Sequence, residues 1–216
     1  MNILILLLFA LISPFAALYS LECSRYGVPQ TVNAKTLFLP TNKTQILTYL
    51  FFVFSAILIF INGETNPLTL LENCFIITLG YIAALTDLFT RRVPNKLVLI
   101  MCGTWIFFAL IRVFIDFEYG MESLVASALG FLIGAGLMLV IYLISRKGLG
   151  AGDVKFMGAV GLYLSYRWVL AVMLVGGVLC LLTAIVMMIM RKIKKSDSLP
   201  LIPFLYVGVV ITIFFR

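Results

Sequence analysis

Two aspartates stand in an otherwise apolar chain at the borders of its hydrophobic stretches. Asp153 ends the tetrapeptide Gly150-Ala151-Gly152-Asp153, and Asp87 closes a long apolar run. Placing an ionised Asp in hydrocarbon costs roughly 2.5 to 3.5 kcal/mol on insertion scales, so such residues pair, face a wet cavity or do chemistry. If the two meet, they cannot both ionise freely, one proton is shared, and the apparent pKa values of the pair separate. One carboxylate then acts as general base on a water while its protonated partner hydrogen-bonds a scissile carbonyl. Amide hydrolysis follows without histidine, metal or covalent intermediate. The chain contains no histidine at all, which removes Ser-His and Cys-His pairs and the H-E-x-x-H zinc site together. Its four cysteines, Cys23, Cys74, Cys102 and Cys180, form no C-x-x-C pair, and the residues suggest neither a metal set nor a cofactor motif.

The flanking residues suit the same task. Gly150 and Gly152 lack a Cβ and allow an extended substrate backbone to approach Asp153, or a positive φ at the turn. After Asp87 the chain reads Leu-Phe-Thr-Arg91-Arg92-Val-Pro94-Asn95. Pro94 and Asn95 mark the turn into the next helix, and the arginines hold the segment at the headgroups. Lys155 either snorkels or acts on Asp153 through its charge. Gly134 with Gly136, and Gly158 with Gly161, read as close helix packing.

The elements that must position these residues are membrane helices. The chain is 63% hydrophobic and 12% charged, with a mean hydropathy of +1.16, whereas soluble domains are about 45 to 50% apolar. Hydropathy marks spans at 2–19, 46–61, 68–86, 97–115, 123–145, 169–190 and 200–215, and a shorter stretch at 154–166. The expected fold class is therefore an all-α polytopic transmembrane bundle of about seven or eight membrane segments, one membrane domain throughout. Residues 1–67 supply N-terminal helices with a polar, irregular loop at 21–45, and 68–216 form the core.

Charge decides how to count the short stretch. If 154–166 crosses, thirteen of the sixteen Lys and Arg residues fall in loops on one side, and the turns holding Glu64 and Asp116, Glu118 and Glu122 fall on the other. If it does not cross, the cluster from Arg191 to Lys195 lies outside, against the positive-inside rule. Eight crossings with the amino terminus outside are expected, and Asp87 and Asp153 then share the cytoplasmic face. Residues 1–20 have the length of a signal peptide but lack a basic n-region, so a retained helix is the reading. The net charge of +7 is dispersed in these short clusters and marks topology, not a nucleic-acid face.

Asp87-Leu-Phe-Thr-Arg-Arg-Val-Pro-Asn95 and Gly150-Ala-Gly-Asp153-Val-Lys155 resemble the paired signatures of the type IV prepilin peptidases, a family of GxGD intramembrane aspartyl proteases. The likeness extends over about 71–190, and Leu199-Pro-Leu-Ile-Pro-Phe-Leu is similar to the start of that family's final span. The resemblance implies that Asp87 and Asp153 are catalytic. It also implies a cytoplasmic-face endopeptidase in a bacterial or archaeal inner membrane that removes short basic leaders from pilin or pseudopilin precursors. Many bacterial members carry a zinc-binding domain with paired C-x-x-C motifs that accompanies N-methylation. The corresponding loop here holds only Cys23, so a short-form peptidase without methyltransferase activity is expected. Two other readings of the acids stand beside this one: a small proton-coupled transporter, or a non-catalytic assembly protein of a pilus or secretion machine. The oligomeric state is not legible.

Overall fold

In a computed structural model, the described residues are 2–26, 43–61, 66–144, 149–191 and 199–216. Among them the chain forms seven helices and no strand: α1 (Asn2–Tyr26), α2 (Lys43–Ile61), α3 (Pro67–Thr90), α4 (Asn95–Ile115), α5 (Phe117–Ile144), α6 (Ala151–Ile189) and α7 (Ile202–Phe215). By length and composition α3, α4, α5 and α6 can each cross a membrane, and α1, α2 and α7 contribute shorter apolar stretches. The fold is the expected polytopic helical bundle. The irregular segment expected at 21–45 is narrower than that, because α1 continues to Tyr26 and α2 begins at Lys43. No Gly or Pro lies between Tyr19 and Tyr26 to stop the helix. Residues 27–42, the rest of that loop, fall outside the described residues.

The outer surface of the bundle is apolar: Leu99 is 70% exposed, Leu174 69% and Phe114 88%. Side chains of this kind on the outside need lipid as their solvent. Inside, Phe52, Phe156, Met157 and Leu164 are fully buried. Helix α6 is the centre of the assembly, packing against α4, α5 and α7, while α1 lies along α2 and α3.

The sixth helix is not one rod. Ser165 interrupts it with φ 61° and ψ 177°, a conformation that is essentially restricted to glycine and costs about 1 to 3 kcal/mol elsewhere. A Cβ placed on Gly134 of α5 would stand 2.6 Å from the carbonyl oxygen of Met157 and 3.0 Å from Cγ2 of Val169. Those two atoms are therefore within about 6 Å of each other, whereas twelve residues of continuous helix would separate them by about 18 Å. The chain reverses at Ser165, giving a limb at 151–164 and a returning limb at 166–189. The short apolar stretch at 154–166 and the span at 169–190 are these two limbs.

Glycine makes the reversal possible. A Cβ on Gly130 would lie 2.2 Å from the carbonyl oxygen of Gly161 and 2.8 Å from Cα of Ser165, and one on Gly161 would lie 2.2 Å from the carbonyl oxygen of Gly130. The backbones touch there, as small residues allow in membrane bundles. Gly134, Gly158 and Gly161 serve the packing expected of them, but a Cβ on Gly136 would meet nothing within 4 Å. Its presumed place at that contact belongs to Gly130, four residues earlier on the same face as Gly134.

Because α6 folds back, both of its ends emerge at one end of the bundle, together with the end of α3 and the starts of α4 and α7. At the opposite end Glu72 of α3 is buried and paired with Arg112 of α4, whose guanidinium also donates to Ser123 of α5 at 2.8 Å. Asp116 and Glu118 stand at the α4–α5 turn of that end. We expect Ser165→Gly to raise thermal stability in detergent by about 1 kcal/mol, since it relieves backbone strain at a half-buried position. Gly130→Val should abolish the folded state, as read by loss of the melting transition.

Candidate active site

Three connections converge at the end where α6 begins and ends: 91–94 between α3 and α4, 149–150 before α6, and 199–201 before α7. Together they wall a cleft of about 480 Å³, within the size range of small-molecule and peptide pockets. Asp87 and Asp153 both line it. They are only 7% and 8% exposed, and the charge of Asp87 reaches Asp153.

Each aspartate is placed by its helix and held by a backbone donor. Asp87 lies in the last turn of α3, which ends where Arg91 turns left-handed at φ 52° and returns its N–H to the Asp87 carbonyl at 2.8 Å. The Asp87 carboxylate accepts through Oδ2 from the N–H of Ile202, the first residue of α7, at 3.3 Å. Asp153 lies in the first turn of α6, where a carboxylate is favoured by the orphan N–H groups and the helix dipole. Its N–H donates to the Gly150 carbonyl at 3.1 Å, and its Oδ2 accepts from the Gly150 N–H at 2.9 Å. The second bond is the N3 half of a capping box, whose other half glycine cannot make because it has no side chain. In both residues the bond engages Oδ2 and leaves Oδ1 without a hydrogen bond among the described residues.

The glycines of the motif differ in role. Gly150 has φ −90° and ψ 147°, which any residue adopts, and a Cβ there would stand at ordinary contact distances, 3.4 Å from Asp153 Oδ2 and 3.9 Å from the Gly152 nitrogen. Nothing in the fold requires glycine at 150, so the space it leaves belongs to the cleft. A Cβ on Gly152 would press on Val93 at 3.1 Å, so this glycine lets the 91–94 segment pack on α6.

Arg91, Arg92, Asn95 and Lys155 also line the cleft, as the sequence suggested. Pro94 does not. It is extended, at φ −62° and ψ 128°, and occupies the N-cap position of α4, where its fixed φ and missing N–H set the entry into the helix. Lys155 does not pair with Asp153: among the described residues Glu72 with Arg112 is the only side-chain ion pair, and the Lys155 ammonium donates instead to Asn95 Oδ1 at 2.9 Å. Two contributions escaped the sequence. The Ile202 N–H is a backbone donor that no side-chain pattern announces, although Pro200 and Pro203 flag an irregular entry to α7. The Glu72–Arg112 pair was detectable, as opposite charges within two neighbouring apolar spans.

The arrangement is that of a polytopic helical membrane protein with two buried acids facing one cleft. The sequence model of the type IV leader peptidase family matches residues 74–185, just over half of the 216 residues, and the chain belongs to that family. Family membership makes it a peptidase, with proteins as substrates. Searches of the curated proteins and of the solved structures return no significant match. The matched region includes both aspartates and the cleft walls at 91–94 and 149–150, and ends before the wall at 199–201. If the cleft is shared as described, an Asp87→Cys, Asp153→Cys variant with its other cysteines replaced will be joined by a short bifunctional thiol reagent in membranes. Mass spectrometry of the linked peptides would detect this, and absence of the link would contradict the convergence.

Proposed function

We propose that this protein is an aspartic endopeptidase that removes the short basic leader from type IV prepilin-like precursors at the cytoplasmic membrane face, with Asp87 and Asp153 as the catalytic pair. One observation carries the reading. Two acids remote in sequence border one cleft, and among the described residues each is anchored through a single carboxylate oxygen, which leaves the other for water or substrate. Residues 68–216 form the peptidase core, and residues 1–67 add the first two helices to it.

The chemistry follows from the pair. A water between the carboxylates loses a proton to the ionised member as its oxygen attacks the scissile carbonyl, whose oxygen takes a hydrogen bond from the protonated member. The proton gained by the base then passes to the departing amine, and the dyad regains its starting state. Which aspartate holds the shared proton is a property of the pair rather than of either residue. Gly150 opens the approach to Asp153 for an extended peptide, and the connections at 91–94 and 199–201 form the facing walls.

Sidedness and substrate follow from charge. The cleft end carries Arg91, Arg92, Lys155 and Arg191, and the opposite end carries Asp116, Glu118 and Glu122, which by the positive-inside rule supports a cytoplasmic cleft. A basic leader is drawn to the anionic inner leaflet and to the acids of the cleft. The precursor's apolar helix then stays in the bilayer beside the exposed apolar faces of the enzyme. Cleavage without N-methylation is the activity proposed for the chain.

Asp87→Asn and Asp153→Asn are each expected to lower precursor processing by at least about 100-fold with unchanged membrane insertion, measured as a mobility shift of a co-expressed precursor. Complete processing by either variant would refute the assignment. Cleavage by the native enzyme should follow a bell-shaped pH profile, because activity needs one ionised and one protonated acid. Gly150→Ala is expected to leave the melting temperature unchanged and to lower kcat/KM about tenfold through its methyl group beside Asp153.

A further inference from the structure

Lys155 and Asn95 occupy the two signature segments but touch neither each other's neighbours in sequence nor, directly, the chemistry of the acids. Lys155 stands two residues beyond Asp153 in α6, and positions so spaced do not face each other on a helix. Asn95 is the first residue of α4, directly after the segment that leaves Asp87. Their side chains meet across the mouth of the cleft, Nζ to Oδ1 at 2.9 Å, and both line it. Below this bond Val93 packs on Gly152. The segment that follows Asp87 is thus pegged twice to the turn that carries Asp153, once by apolar contact and once by a bond from a charged donor.

We propose that Lys155 is a positioning residue that acts through Asn95: their bond sets the width of the cleft, and with it the separation at which Asp87 and Asp153 share a proton. Among the described residues neither aspartate has another cross-connection to its partner's segment from a side chain. Asp87 is held by α7 through Ile202, and Asp153 by its own turn through Gly150. The helices α3 and α6 have few direct contacts, so the spacing of the two acids depends on what ties the connection at 91–95 to the start of α6. Lys155 and Asn95 are both exposed, and changing them leaves the packed core intact.

The role assigned to Lys155 rests on Asp87 and Asp153 being the cleaving pair. The test compares wild type with Asn95→Ala, Lys155→Met and their combination in membranes, on a type IV prepilin precursor with a basic leader. Each single change should lower kcat about tenfold with KM altered less than about twofold, and the double variant should fall no further than either single one. Lys155→Arg and Asn95→Asp, which keep a donor and an acceptor, should retain activity within about threefold of wild type, and the limbs of the pH profile should move closer together in Asn95→Ala and Lys155→Met. Losses that multiply in the double variant, or an Asn95→Ala enzyme as active as wild type, would overturn the role. A second measurement needs no activity. The thiol link between cysteines at 87 and 153 should form in lower yield when Asn95→Ala or Lys155→Met is added, and an unchanged yield would overturn the tie. A wild type that cleaves no precursor would instead sink the peptidase assignment, leaving the linking yields to decide the geometry.

Discussion

The structure depends on how an apolar bundle can hold two carboxylates almost entirely buried at one of its ends. An aspartate in hydrocarbon is costly, and two side by side add repulsion to desolvation. Two features make the arrangement tolerable: an open cleft beside the acids and backbone N–H groups that helix starts leave free. Both donors used here, Gly150 and Ile202, come from the beginnings of helices. The carboxylates are thus fixed by groups that the fold must satisfy in any case, and among the described residues no basic side chain forms an ion pair with them.

The reversal at Ser165 gives the cleft its third wall. Had α6 continued straight for its 39 residues, it would span about 58 Å, nearly twice the hydrocarbon thickness. By folding back against Gly130 it returns to the end from which it started, so that the chain enters α7 beside Asp87. The strain at Ser165 is offset by the backbone contact it permits, in which Gly130 and Gly161 approach more closely than any side chain would allow. Distant small residues therefore decide where the Ile202 donor stands.

The two ends of the bundle handle charge differently. At one, Glu72 is neutralised by Arg112, and its Oε1 is buried without a hydrogen-bond partner among the described residues, an arrangement that ties α3 to α4. At the other, Asp87 and Asp153 have no ion-pair partner among the described residues and border open space. Opposite charges brought into contact staple helices together, whereas like charges kept beside water remain available to react. Recognition of a protein substrate then falls to the walls of the cleft and to the apolar faces that lie in lipid.

Much of this was legible in the letters. The apolar runs defined nearly every helix because a bilayer demands about 20 consecutive apolar residues, and the two aspartates declared themselves because so few acids occur in such runs. Gly134, Gly158 and Gly161 were readable as packing positions from their spacing alone. Charge favoured a crossing for 154–166, and tertiary structure made it one limb of a hairpin, as the contacts of Gly134 with both limbs show. Tertiary structure alone separated Gly150 from Gly152 and turned Lys155 from Asp153 towards Asn95. The physical reason is that composition and periodicity record which side chains water or lipid will accept, while the direction of a hydrogen bond depends on atoms that only the folded chain brings within 3 Å.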